Sequence, residues 1–389
     1  MGSADFVLPL STSPDLTLVV PTPNERLECL RINGQSWRGR MSPEEYIGRE
    51  NHLMSQDMTR DGALTCWILT DRNSPPDSRP ILSSCETFLK DAFLAYNGSV
   101  EDILAHGIGS VFSRPEYRGR GYAKRMILEL AHILDTWQLE STTRKKSVFS
   151  VLYSDIGKSF YAALGWKPFQ SSHYSLAPIR KQTSANSESL DMTLVKDMTR
   201  DDVERYMCAD AVLEGCRSIL KEASTKDSKA KVAFRPDFNH MTWHWAREEF
   251  YVKTLLQDKG EPKVKGAGVP SRNVFVSWNR NFGTAKEQTL FILRTLYKEP
   301  SSPSERQTTV DAIAAVLRRA QYEADEWGLS QVEIWNPTSL IEEAVKQLDS
   351  TAELVHRESK GITSLKWNGK ELGLGEEVDW VWNEKYGWC

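Results

Sequence analysis

Cysteine is scarce in this 389-residue chain: six residues, none in a C-x-x-C pair and none at metal-ligand spacing. With several of them in apolar runs, this argues against a disulfide framework and a cysteine-built metal centre. Cys29, Cys66, Cys85, Cys208, Cys216 and Cys389 are expected to be reduced thiols in a reducing compartment. No apolar run approaches the length that crosses a bilayer. The opening MGSADFVLPLS has neither a basic n-region nor a long apolar core, which argues against a secretory signal, and Phe6 stands where a myristoylation motif needs Ser or Thr. Charge of one sign is lacking too. A net charge of −4 gives no general argument for nucleic acid or for an anionic membrane. The expectation is a soluble, cytoplasmic protein that partners neither.

What is present is a folded chain too long for one ordinary core, so about two domains are expected. Residues 16–21 read as a strand, 23–37 as a helix with Asn24 as N-cap, and 43 onward as a helix capped by Ser42 with Pro43 in its first position. Strands follow at 64–70, 81–87 with 88–96, and 103–112, then a helix over 123–139 and a buried strand over 148–153. A short helix over 156–164 closes at Gly165, and strands occupy 166–176. This is an α/β chain with a mixed sheet. Residues 178–190 are polar and serine-rich, a linker between a first domain (1–177) and a second (191–389).

The most informative stretch is 111–126, VFSRPEYRGRGYAKRM, where an apolar strand ends in a Gly- and Arg-rich turn and becomes a helix. A helix start offers unpartnered N–H groups and the positive end of the macrodipole. Gly119 and Gly121 clear side chains from the approach, and Arg118, Arg120, Lys124 and Arg125 add cations, so the turn suits a diphosphate. Lys124 stands where a dinucleotide fingerprint needs a third small residue, and no Gly-Lys-Ser/Thr closes a P-loop. Two ionisable groups stand out as bases: Glu86, a carboxylate in the otherwise apolar run SSCET, and His106, twelve positions before Arg118.

Arg118, Gly121 and Ala123 spell R-x-x-G-x-A, which resembles motif A of the GNAT superfamily of N-acetyltransferases. The element order of the first domain agrees, as do Phe160-Tyr161 and Gly165-Trp166 of the superfamily's last helix. Ser154 and Gly157 depart from that motif's usual Asn and Ala. The resemblance implies acetyl-coenzyme A as co-substrate, held by Val111, Phe112, Ser113, Arg118, Gly119, Arg120, Gly121, Tyr122, Ala123, Lys124 and Ser154. It implies that the strands at 103–112 and 148–153 part to admit pantetheine, with Gly107 and Gly109 tolerating a bulge. A backbone N–H at Val111 or Phe112 would face the thioester oxygen, Tyr161 would protonate the departing thiolate, and Glu86 or His106 would serve the amine.

In the second domain, helices are expected at 201–223 and 240–255. His240 and His244 in the latter are spaced for a metal, but their Trp243 and Trp245 neighbours favour packing, and no metal is expected. From 274 the first domain's order returns as strands at 274–278 and 290–297, a helix over 310–327, a strand at 332–335, a helix over 338–348 and a strand region over 356–367. Its turn, KEPSSP, has none of the motif residues, so a degenerate GNAT-like domain without a coenzyme site is expected. The aromatic tail (Trp380, Trp382, Tyr386, Trp388) packs on the first domain or on its own core. The segments GIGSVFSRPEYRGRGYA, SVLYSDIGKSFY and WHWAREEF together are similar to the fungal lysine N6-acetyltransferase family. That implies free L-lysine as acceptor, in lysine degradation. The alternatives are another small amine, protein lysines, or a non-catalytic acetyl-coenzyme A-binding protein.

Overall fold

The structure is a computed structural model, and it describes residues 8–138, 147–181, 190–283 and 288–388. In chain order its first half holds β1 (Leu16–Val19), α1 (Pro23–Trp37), α2 (Pro43–Met54), β2 (Leu64–Asp71), β3 (Ser83–Tyr96), β4 (Ser99–Phe112), α3 (Tyr122–Leu134), β5 (Ser147–Ser154), α4 (Ser159–Ala162), β6 (Lys167–Pro168) and β7 (Ser172–Leu176). There follow β8 (Lys196–Met198), α5 (Arg200–Val203), α6 (Asp210–Ala223), β9 (Ala230–Phe234), α7 (Phe238–Leu255), β10 (Gly266–Val269), β11 (Val274–Phe282), β12 (Gln288–Leu296), α8 (Pro303–Glu326), β13 (Gln331–Trp335), α9 (Ser339–Leu348), β14 (Val355–His356), β15 (Ile362–Trp367) and β16 (Val378–Trp380). The order β-α-α-β-β-β-α-β-α-β of the first half is the one expected. The N-cap of α1 is Thr22 rather than Asn24: its hydroxyl accepts from the Glu25 amide, and Glu25 reaches back to the Thr22 amide, a reciprocal cap. The helix expected at 201–223 is broken, with a π turn at Glu204–Cys208 and an extended Ala209 separating α5 from α6.

Two mixed sheets form. In the first the strands run β1-β2-β3-β4-β5-β15-β6, with β9 added beside the outer half of β3 and β16 beside β9. In the second the order is β14-β7-β13-β12-β11-β10-β8. The halves exchange strands: β7, from the first half, pairs antiparallel with β13, and β15, from the second, pairs antiparallel with β5. The returning strand expected at 356–367 thus closes the first sheet. Tyr174 and Leu176 of β7 lie in the second core, and Leu365 of β15 in the first, so each core is incomplete without the other half.

Register parity sorts side chains onto the two faces of the first sheet. Cys85 on β3 and Ile108 on β4 face α3, in a core with Tyr122, Met126 and Leu130. Glu86, Phe88 and Ala92 face the other way, toward α2 and α7, where the Phe88 ring meets Trp243 with centroids 5.8 Å apart. The parallel pairing of β4 with β5 ends at Ile108 opposite Leu152. Immediately beyond it β4 bulges: one residue on β3, Cys85, faces two on β4, Ser110 and Val111. The bulge lies just after Gly107 and Gly109, which keep ordinary ladder positions, and it is Ser110 that takes the left-handed backbone, with φ 52°.

The second sheet repeats this device. Its parallel pair β12 and β13 ends at Ile292 opposite Ile334, and β12 has an extra residue, Leu293, at the same point. There the chain's own tail fills the gap. The Thr295 amide donates to the Glu384 carboxylate (2.8 Å), Asn336 Nδ2 donates to the Asn383 carbonyl (2.6 Å), and the Lys385 ammonium lies 4.1 Å from the Trp335 ring centre.

Candidate active site

Between the bulge and α3 lies the Gly- and Arg-rich turn. Gly119 (φ 75°) and Gly121 (φ 86°) adopt left-handed backbone, and Gly121 is the N-cap of α3 without any side-chain cap, so the first amides of a 13-residue helix have no capping partner. Arg118, Gly119, Arg120, Gly121 and Lys124 are exposed. A Cβ on Gly119 would meet nothing within 4 Å. Arg118 Nε donates to the Ser113 carbonyl (3.2 Å), with its guanidinium over the Phe112 ring. The Ser113 hydroxyl is buried without a partner among the described residues. Open amides, exposed cations and an unused hydroxyl fit the diphosphate of a coenzyme. Two members of the turn are committed elsewhere. Tyr122 is buried, its hydroxyl donating to the Pro9 carbonyl, so only its backbone faces the turn. Arg125 bonds Glu129 and the carbonyls of Ser11 and Ser13, which takes it out of the cation set. Ala123 is half-buried in the first turn of α3.

Val111 sits in the bulge, without a register partner on β3, where β4 and β5 part. Phe112 is paired opposite Ser84 and packs edge-on against Trp37. Tyr161, on α4, enters the α3-side core beside Cys85 and Ile108; burial first, then the nearby Cys85, hold its phenol protonated well above its ordinary range. A phenol held protonated can give a proton to a thiolate. Ser154 spends its hydroxyl locally, donating to the Gly157 carbonyl (2.8 Å) and accepting from the Ile156 amide (3.2 Å), and so shapes the β5–α4 turn.

On the opposite face Glu86 lines a cavity of about 10 Å³ with Arg26, Cys29, Leu30, Asn33, Cys66, Ser84 and Ser110, room for about one water. Burial, and then the Glu50 carboxylate, push the Glu86 carboxyl up, while the Ser110 hydroxyl, Arg26 and the Cys66 thiol pull against the shift. Such a carboxylate sits nearer the pH at which it can take a proton from an ammonium. Burial also holds the neighbouring thiols protonated, Cys29 pushed up to about 12 and Cys66 and Cys85 higher still, so no thiolate nucleophile is offered here. Ser110, Arg26 and Asn33 carry no motif and were not legible as site residues.

His106 is not brought to this cavity. Paired opposite Leu89, an odd number of residues from Glu86, it faces α3, fully buried, with Nε2 donating to Gln138 Oε1 (3.3 Å). Burial pulls its pKa down to about 4. The folded state therefore binds its proton less readily than the unfolded chain, so stability is complete above the unfolded value and is lost as pH falls from about 6.5 toward 4. That loss is on the order of 3 kcal/mol. His106→Leu should flatten the acid limb of a Tm-against-pH curve, and an unchanged limb would reject this account. His240 and His244 are likewise engaged in packing, with Asp237 Oδ1 (2.9 Å) and the Tyr386 carbonyl (3.2 Å).

Elements of the second half wall this face. Trp388 lies against Trp243 and His244 of α7, and Lys90 Nζ donates to the Gly387 carbonyl (2.7 Å). The tail therefore packs on the first sheet as well as filling the second. No helix among the described residues is long and apolar enough to cross a membrane.

Residues 173–389 match the family described as "LYC1 GNAT-like C-terminal domain". The chain is 24% identical to an uncharacterized protein of Saccharomyces cerevisiae, YGR111W, over 92% of this chain and 93% of that one. It is also 24% identical to a protein of Yarrowia lipolytica named lysine acetyltransferase, over 71% of this chain and 74% of that one. Among solved structures, a GCN5-related N-acetyltransferase from Kribbella flavida is similar over 90% of this chain and 70% of that one, at 15% identity and a TM-score of 0.49.

Proposed function

The chain belongs to the LYC1 GNAT-like C-terminal domain family and is an acetyltransferase of the GNAT type; we propose that it acetylates the side-chain amine of free L-lysine with acetyl-coenzyme A, a first step of lysine degradation. The observation that carries this reading is the arrangement about the parted strands: an uncapped helix start with exposed cations lies at α3, and the half-buried Glu86 carboxylate lies on the far face, with the β4 bulge between them. The Yarrowia relative's name favours lysine among amines.

Acetyl-coenzyme A supplies an activated acyl carbon. The chain's own residues do the rest. The first amides of α3, with Arg118, Arg120 and Lys124, hold the diphosphate and so fix where the thioester lies. The Val111 amide donates to the thioester oxygen as negative charge grows there. Glu86 attracts the ammonium of the acceptor and takes its proton, directly or through the one water its cavity admits. At pH 7 a lysine side chain is almost wholly protonated, so exposing its lone pair costs about 4–5 kcal/mol. A carboxylate whose pKa is raised by its half-buried setting lowers that cost. The neutral nitrogen attacks, a C–N bond forms and the C–S bond breaks; the Tyr161 hydroxyl gives its proton to sulfur, and the proton that the nitrogen sheds as it becomes an amide restores the phenol.

Thiol release measured with L-lysine, a polyamine, an aminoglycoside and a lysine-containing peptide tests the reading. Turnover should be fastest with L-lysine. Turnover confined to the peptide would move the assignment to protein substrates, and coenzyme binding without turnover of any amine would make the chain a non-catalytic binder.

A further inference from the structure

Beyond Glu86, on the same side of the first sheet, α2 and α7 each carry a guanidinium. Arg49 on α2 is buried, its Nε and Nη2 both on Glu50 and its Nη1 donating to the Tyr251 hydroxyl (2.6 Å). Beside it, one turn before Tyr251 on α7, Arg247 is half-buried with its guanidinium 5.5 Å from the Trp388 ring centre. The Glu50 carboxylate is thus taken by Arg49. Among the described residues no ion pair or hydrogen bond involves Arg247. Burial, then the like charge of Arg49, depress its pKa, as expected of a cation short of a counter-ion.

Arg247 is also linked to the acceptor cavity. Tyr46 packs tightly on α1, where a Cβ on Gly34 would come within 3.0 Å of its ring, beside the cavity-lining Leu30 and Asn33. Its phenol feels burial first, then Glu50, with Glu86 and Arg247 both acting on it. The Arg49 guanidinium lies 4.8 Å from the centre of the same ring and donates to Tyr251, one turn beyond Arg247, so α1, α2 and α7 run in contact from the cavity wall to the turn that carries Arg247. An amino acid whose side-chain amine reaches Glu86 would carry a carboxylate back along this line. A fork of N–H donors, backed by an aromatic ring and lacking a protein carboxylate, has the chemistry to receive it.

We propose that Arg247, presented by the second half of the chain and supported by Trp388 of the tail, binds the α-carboxylate of the acceptor amino acid and so selects amino acids over simple amines. This rests on the acceptor reading of the Glu86 face. Steady-state kinetics with L-lysine and with cadaverine, the same chain of carbons without the carboxylate, separate the two ideas. Wild type should favour L-lysine. Arg247→Gln should lower kcat/KM for L-lysine by about 10- to 100-fold, chiefly through KM, and change cadaverine by less than about threefold. Arg247→Lys should recover part of the L-lysine loss. Coenzyme A titration of each variant reports whether the fold and cradle survive. Equal losses on both amines with coenzyme binding intact would make Arg247 a support for the helix and overturn the inference, as would an unchanged KM for L-lysine. A wild type inactive on both amines would instead overturn the acceptor assignment itself.

Discussion

Gly121→Glu is expected to weaken coenzyme A binding by at least about 100-fold, with the secondary structure of the protein retained. Two separate effects act at this position. Its backbone is left-handed (φ 86°), a conformation that costs a side chain about 1 kcal/mol or more. A Cβ there would lie 2.8 Å from the Ser11 hydroxyl, so the segment covering the turn must shift. The larger effect is electrostatic. A carboxylate at the N-cap of α3 takes the place of the ligand's phosphates, satisfying the same amides and the same macrodipole and neutralising Arg118, Arg120 or Lys124. It stabilises the empty helix start while it removes the site. Gly119→Ala is the contrasting substitution: the position has open space around it, so only the left-handed backbone (φ 75°) is penalised, and the loss should be smaller. Isothermal titration with coenzyme A measures both, beside circular dichroism for the fold. An affinity unchanged in Gly121→Glu would remove the turn from the binding site.

Glu86→Gln should lower kcat/KM for the amine by about 10²–10⁴-fold and leave coenzyme affinity within about twofold of wild type. The amide keeps the shape of the carboxylate and its position in the cavity with Ser110 and Cys66, so packing changes little. It can neither attract an ammonium nor accept its proton. The pH profile is the sharper measure. Burial and the Glu50 charge raise the Glu86 pKa. In the wild type kcat/KM should therefore rise with pH through a limb displaced upward from the ordinary carboxylate range. In Glu86→Gln that limb should vanish, leaving the slope set by deprotonation of the free amine. A variant with the wild-type profile and rate would free Glu86 from any part in the reaction.

Much of the first half was legible in the sequence because its signals are local. The apolar period switches from two to near four at 121–123, glycines stand where left-handed backbone is needed, and Ser42-Pro43 announces a helix start. Each depends on residues a few positions apart. The same holds for the turn after β4, where the chain direction, the unpartnered amides and the cations all come from one run of residues.

The two candidate bases show where local reading stops. Glu86 and His106 are each an ionisable residue in a β-strand, and spacing alone ranks neither. Pairing separates them, because the ladder of β3 with β4 places Glu86 and His106 on opposite faces. One face carries α3, with its uncapped start, and the other carries the walls built by α2, α7 and the tail. Ser110 illustrates the same limit. Nothing marks it in the sequence, yet the extra residue in β4 turns it toward Glu86.

By itself, then, the sequence determined the order of the elements, the Gly- and Arg-rich turn into α3 and the kinship with acetyl-transferring proteins, since all three are written in short-range patterns. Only the tertiary structure decided that the halves trade β7 and β15, that the tail closes the second pair of parted strands, and that Arg247 meets the Trp388 ring of that tail. These are pairings between residues far apart in the chain. Their free energy comes from burying complementary surfaces and saturating backbone groups against each other, and no local propensity encodes which distant partner will be met.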